Sequence, residues 1–127
     1  MRFFIDSSAW IEYLGGSYNG ERVHQILSKD DEIYSISIII SEVVSRARRK
    51  KQNTDIAFRA IISNSKILDI TPEIAKEAGI LHADMKKKIS DFGLVDAIIW
   101  TVAKKLNAKL VTCDSHFKGF KEAVLLK

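Results

Sequence analysis

The chain is poor in residues that staple or break a fold. Of its 127 residues one is cysteine, Cys113, and one is proline, Pro72. A lone cysteine cannot close an intramolecular disulfide, and no Cys/His spacing of a structural metal site surrounds it. A reducing cytoplasm is therefore the expected home. Long apolar runs are missing as well. An acid at position 6 interrupts the N-terminus before a signal-peptide core develops. The longest apolar stretch, Ile33 to Val44, carries several serines and Glu42, too short and too polar for a bilayer span. Neither secretion nor membrane insertion is expected. Internal repeats, low-complexity tracts, linkers and two-residue hairpin signals are also lacking.

What remains is the composition of one globular domain spanning 1–127, with 46% hydrophobic and 28% charged residues. Twenty Lys and Arg against sixteen Asp and Glu leave a net charge of +4, a mild lean toward polyanionic partners. Five β-branched or aromatic segments read as strands: Arg2 to Ile5, Ile33 to Ile36, Ile67 to Ile70, Lys109 to Thr112 and Ala123 to Leu126. Helical patterns lie between them. Ser8 to Leu14 is short, and a second helix carries Val23, Ile26 and Leu27 after Gly15, Gly16 and Gly20. "TPEIAKEAGILHADM" starts with Thr71 as cap and Pro72 in the first turn. Leu94 to Leu106 is apolar almost all round and reads as buried. Strands alternating with helices argue for a doubly wound α/β domain, a mostly parallel five-stranded sheet flanked by helices. Ligands of such sheets bind beyond the carboxyl ends of the strands, so acids at those ends matter most.

Four acids fall there. Asp6 ends the first strand in "FFIDSSAW", where it suits either a helix start or a carboxylate at the sheet mouth. Asp96, in "DFGLVDAIIW", stands in the first turn of the apolar helix with Ile99 and Trp100 on its own side. A buried carboxylate there needs a partner. Asp91, five residues earlier, reads as the cap of the same helix, with a supporting site role as the alternative. Asp114 follows the fourth strand in "LVTCDSHF", with Thr112 on the same side of the strand two positions before. Glu42, in "IIISEVVSRARRK", flanks the packing stripe of Ile39, Val43 and Ala47. An exposed Glu42 to Arg46 pair would contribute only about 0.3–0.5 kcal/mol, which does not account for an acid so near an apolar segment.

The set says more than its members. If the topology gathers Asp6, Glu42, Asp96 and Asp114, each pair repels by roughly 3–4 kcal/mol at ~5 Å and an effective dielectric of ~20. Such a cluster requires a cation. Carboxylates without His or Cys suit Mg²⁺ or Mn²⁺, and the matching chemistry is phosphodiester hydrolysis. Arg46, Arg48, Arg49, Lys50 and Lys51 form one basic cluster and Lys86 to Lys88 another. Each suits a phosphate backbone or simply a solvated helix end; Arg46, Arg49 and Lys50 are the candidate contacts to such a backbone.

At these motifs the sequence resembles the PIN-domain ribonucleases, especially the small VapC-type toxins of toxin–antitoxin pairs. "FIDSSAWIEYL" looks like the opening strand, acid, small hydroxyl residues and first helix of that family. "SEVVSRA" resembles its second motif, "LVDAIIWTVAKKLNAKLVTCD" its third and fourth, and "HF" the usual end of the fourth. The resemblance implies that Asp6, Glu42, Asp96 and Asp114 are the catalytic metal-site acids, with Ser8 and Thr112 as supporting hydroxyls. It further implies Mg²⁺- or Mn²⁺-dependent endoribonuclease activity, a homodimer, and inhibition by a small antitoxin protein. Many relatives carry a second acid shortly after the fourth. "TCDSHF" lacks it, and Asp91 is the substitute on offer. Three other readings compete: an RNA-processing nuclease without a toxin role, a PIN fold that only binds RNA or protein, and a receiver-type signalling domain. The last needs a free acid after the third strand, whereas Asp69 reads as lying inside it.

Overall fold

The computed structural model describes residues 1–126. The elements run β1 (Arg2–Ile5), α1 (Ser7–Gly15), α2 (Tyr18–Leu27), β2 (Glu32–Ile36), α3 (Ser37–Arg49), α4 (Thr54–Asn64), β3 (Lys66–Leu68), α5 (Pro72–Lys86), α6 (Leu94–Lys105), β4 (Lys109–Thr112), a 3-10 turn (Ser115–Phe117) and β5 (Ala123–Leu125). All neighbouring strands pair in parallel, in the order β3-β2-β1-β4-β5. Phe3 stands opposite Ile33 on one side and Lys109 on the other. The chain order reverses between β1 and β4, so the crevice above these two strands is the switch point where such sheets take ligands. The order also rules out a receiver, whose sheet runs 2-1-3-4-5. Asp69 is exposed just after β3, not inside it, and β3 is an edge strand far from the switch point.

Because right-handed crossovers dominate parallel sheets, α1 to α4 cover one face and α5 and α6 the other. In keeping with this, α1 packs on α2, α3 and α4, while α5 packs on α6. The strands are buried on both faces. Phe4, Ile5, Ile36, Leu110 and Val111 are wholly or almost wholly enclosed, and Trp10, Ile39, Val43 and Ile61 pack onto them from the helices. A smaller cluster of Ala78, Phe92 and Ala97 joins α5 to α6. Gly16 ends α1 in the left-handed region at φ 68°, the conformation that glycine adopts at no steric cost. Gly20 lets α2 approach α1: a Cβ there would lie 2.1 Å from the Glu12 carbonyl oxygen. Thr71 caps α5 by accepting from the Ile74 N–H at 3.2 Å, with Pro72 in the first turn.

Two expectations change. No feature of the sequence singled out α4, because its large apolar residues Ile56, Phe58 and Ile62 are exposed and only Ala57 and Ile61 form its buried stripe. Helix α6 is not buried all round, since Leu94 is exposed and Lys104 and Lys105 carry its end into solvent. No helix among the described residues is long and apolar enough to cross a membrane.

Candidate functional site

Asp6 leaves β1 and caps α1. One carboxylate oxygen, Oδ1, accepts from the Ser7 backbone N–H at 2.7 Å. The other, Oδ2, accepts from the Thr112 hydroxyl at 2.7 Å and the Ser8 hydroxyl at 3.1 Å. Thr112 ends β4, and Asp6 donates its own N–H to Val111 of that strand at 3.0 Å, so the β1–β4 pairing sets this contact. Ser8 in turn accepts from the Cys113 N–H at 2.9 Å. Both supporting hydroxyls named from the sequence thus hold the Asp6 carboxylate. Burial still pushes the Asp6 carboxyl above the usual carboxylate range. The bonds from Thr112, Ser7 and Ser8 oppose that push, and the charge of Asp114 adds to it.

Asp96 is the third residue of α6. Its Oδ2 accepts from the Gly93 N–H at 2.9 Å, half of a capping box that turns the carboxylate back over the helix start. Gly93, not Asp91, is the N-cap residue. The expected Asp91 cap is therefore absent, because the helix begins too late for that side chain to reach its first N–H groups. Asp114 caps the 3-10 turn, accepting from the His116 N–H at 2.8 Å, and its own N–H donates to the Thr112 hydroxyl at 2.9 Å. Thr112 therefore ties the Asp6 corner to the Asp114 corner.

Glu42 sits in the second turn of α3, beside the buried stripe. Its Oε1 is buried and has no hydrogen-bond partner. Burial raises its pKa; the Ser7 hydroxyl opposes this, and the charges of Asp6 and Asp96 add to it. Glu42 is thus desolvated among like charges. Among the described residues no ion pair joins it to Arg46, which is exposed one turn on. Arg46 instead lines a cavity of ≈ 210 Å³ between α1, α3 and α4, with Ile11, Leu14, Val43 and Ile56. Arg49 and Lys50 are exposed at the far end of α3, roughly 10–12 Å along the axis from Glu42 at 1.5 Å per residue.

The residue that sequence reasoning missed is His116. Its Nδ1 lies 2.9 Å from Asp96 Oδ2 and 3.5 Å from Asp114 Oδ1, and its Nε2 lies 3.1 Å from Asp91 Oδ2. The bond to Asp96 raises the imidazole pKa; burial opposes this, and Asp91 and Asp114 add to the rise. Asp91, 79% exposed, is correspondingly lowered by its hydrogen bond from His116. Asp96, Asp114 and His116 present donor atoms within 4.8 Å of one another. The acid cluster is therefore not free of imidazole, contrary to the all-carboxylate expectation. The signals for His116 in the sequence were its place two positions after Asp114 and in the "HF" that resembles the usual end of the fourth motif, neither of which assigned it a role.

The donor set fits a divalent cation. Glu42 Oε1 is an orphaned buried anion, and Asp96 Oδ1 accepts no hydrogen bond among the described residues. Carboxylate oxygens near such a point, unneutralised, repel one another, and a hard cation removes the repulsion.

The profile of the PIN domain family matches residues 3–123. No curated protein matches the chain in sequence. Among solved structures, the chain is similar to VapBC2 from Rickettsia felis bound to a DNA fragment from its promoter, at 22% identity and a TM-score of 0.74, covering 99% of this chain and 98% of that one. It is also similar to VapC20 from Mycobacterium tuberculosis, a Sarcin-Ricin loop cleaving toxin, at 16% identity and a TM-score of 0.75, covering 94% and 95%. A third likeness is to VapBC-1 from nontypeable Haemophilus influenzae, at 24% identity and a TM-score of 0.71, covering 100% and 98%. At these identities the likeness is one of fold.

Proposed function

The chain belongs to the PIN domain family, and from that membership we propose that it is a metal-dependent endoribonuclease, the toxin of a VapBC-type toxin–antitoxin pair. The observation that carries the reading is Glu42 Oε1, a buried carboxylate oxygen without a partner, charged against Asp6 and Asp96. A protein retains such a group where a ligand completes it, because an unpaired buried charge otherwise weakens the fold.

Asp6, Glu42, Asp96 and Asp114 are the proposed metal-site and catalytic acids. Ser8 and Thr112 hold Asp6 Oδ2, and the Ser7 N–H holds Oδ1, which fixes the carboxylate in one orientation. Gly93 does the same for Asp96 from the backbone. A bound Mg²⁺ or Mn²⁺ supplies Lewis acidity toward water and a phosphate oxygen and neutralises the charge that develops there. In the reaction a water oxygen bonds to phosphorus, the bond from phosphorus to one ribose oxygen breaks, and the proton the water gives up balances the one that the leaving oxygen takes. The chain's task in this reading is to present the four carboxylates to a polyanion at the β1–β4 switch point.

Arg46, Arg49 and Lys50, with the Lys86–Lys88 turn just before Asp91, are the proposed grips on the RNA backbone. The toxin role adds a small antitoxin protein as partner, a homodimer as assembly and the cytoplasm as location. Structural neighbours of this fold are themselves toxin–antitoxin complexes, which supports an antitoxin as partner.

Asp96→Asn keeps the Gly93 cap, because the amide oxygen still accepts, but removes the charge. It should lower Mn²⁺-dependent cleavage of RNA on the order of 10³-fold, the worth of several kcal/mol of Lewis-acid stabilisation. Equal cleavage by wild type and variant, or wild-type cleavage that survives EDTA, refutes the reading.

A further inference from the structure

We propose that His116 is a positioning residue that clamps the two metal-site acids Asp96 and Asp114 to the turn bearing Asp91, and is not itself a ligand of the cation. The inference deepens the endoribonuclease reading and rests on it for the identity of the site.

The imidazole is anchored from both ends. Its neighbour Phe117 is wholly buried, and the ring of Trp100 lies 6.3 Å from Phe117 and 4.9 Å from Phe120. The His116 ring itself leans on Phe92, also wholly buried, at 6.1 Å between centroids. The 3-10 turn therefore cannot shift without disturbing the α5–α6 core. From that anchorage His116 makes two bonds to the acids: its backbone N–H reaches Asp114 Oδ1 at 2.8 Å, and its Nδ1 reaches Asp96 Oδ2 at 2.9 Å.

The contacts of the ring decide the role. Nδ1 is already taken up by Asp96 Oδ2 at 2.9 Å. The other ring nitrogen points to Asp91, the most exposed acid of the group, on the outer rim of the cluster. Meanwhile Asp96 Oδ2 is doubly satisfied, by His116 and by the Gly93 N–H at 2.9 Å, which leaves Oδ1 as the ligating atom. A carboxylate that must ligate through one defined oxygen needs the other held, and loss of such an outer partner typically weakens metal affinity 10–100-fold.

The test is Mn²⁺ binding by the full-length chain, followed by electron paramagnetic resonance, with kcat and KM measured beside it. His116→Ala should weaken Mn²⁺ binding by about 10–100-fold. His116→Asn should restore most of it, because its amide nitrogen takes the place of Nδ1 and donates the same bond. Echo-modulation spectra of Mn²⁺-loaded wild type should show no coupling from a directly bound imidazole nitrogen. With Mn²⁺ saturating, KM for RNA should hold in both variants. A directly coupled nitrogen in the wild type overturns the proposal, as does wild-type Mn²⁺ affinity in His116→Ala. Equal loss in His116→Ala and His116→Asn overturns it as well. A wild type that binds Mn²⁺ in the manner described and cleaves no RNA sinks the nuclease reading and leaves the clamp standing, so the two failures are distinguishable.

Discussion

Glu42→Gln tests whether the acid cluster is built for a cation at the expense of the metal-free fold. An unpaired buried acceptor costs about 1–3 kcal/mol, and the half-exposed position of Glu42 brings the expected figure to about 1 kcal/mol. The amide removes the charge and turns an N–H toward Asp6 and Asp96. In EDTA at neutral pH the variant should therefore be more stable than wild type by about 1 kcal/mol, a rise in Tm of about 3–5 °C for a chain of this size. The sign reverses with metal. A cation at 100 times its Kd stabilises wild type by about 2.7 kcal/mol, and Glu42→Gln should lose most of that gain. The pH dependence follows from the raised carboxyls. Asp6 and Glu42 bind protons more tightly in the folded chain than their ordinary 3.8 and 4.5. Their favourable contribution is complete below those values and is lost as pH rises through the higher folded ones. Metal-free wild type should accordingly lose stability as pH climbs from about 4 toward neutrality, and the variant should lose less. Calorimetric unfolding with and without Mn²⁺ measures all of this. A variant less stable than wild type in EDTA, or one that keeps the full Mn²⁺ shift, refutes the reasoning.

Two further outcomes test the architecture around the site. The His116 pKa is raised, first by Asp96 and then by Asp91, so its contribution to stability is complete below about 6.5 and fades as pH rises through the folded value. Asp91→Asn should lower that folded value, visible as an earlier imidazole titration by NMR; an unchanged titration would show that the 3.1 Å pair does not persist in solution. Gly20→Ala should destabilise by about 3 kcal/mol, because its methyl meets the Glu12 carbonyl, a backbone atom that cannot rotate away. Thermal unfolding that matches wild type would mean that α1 and α2 lie farther apart than described.

Much of the fold was open to reading from local pattern. Arg2 to Ile5 and Lys109 to Thr112 are strands within the limits expected, because β-branched and aromatic runs buried on both faces leave a continuous apolar signature. Thr71 and Pro72 announced α5 for a similarly local reason: capping is a matter of neighbours three residues apart. Helix α4 escaped because three of its large apolar residues, Ile56, Phe58 and Ile62, are exposed and blur the short buried stripe of Ala57 and Ile61. Asp91 was misplaced by two residues of helix start, a margin within which caps change hands.

The acids belong to both levels. Their identity and their spacing after strands follow from the order of residues along the chain, since a strand that ends in Asp delivers that Asp to the sheet edge whatever surrounds it. Whether four edges converge is a question of strand order, and the parallel pairing of β1 with β4 is what brings Thr112 within 2.7 Å of Asp6. His116 belongs wholly to the second level. Its partners lie 2, 20 and 25 residues away, and no periodicity links a histidine in a 3-10 turn to carboxylates on a helix start and a loop. Hydrophobic pattern is local and repeats, whereas a hydrogen-bonded clamp depends on the packing of Phe92, Trp100 and Phe117, which exists only once the chain has folded.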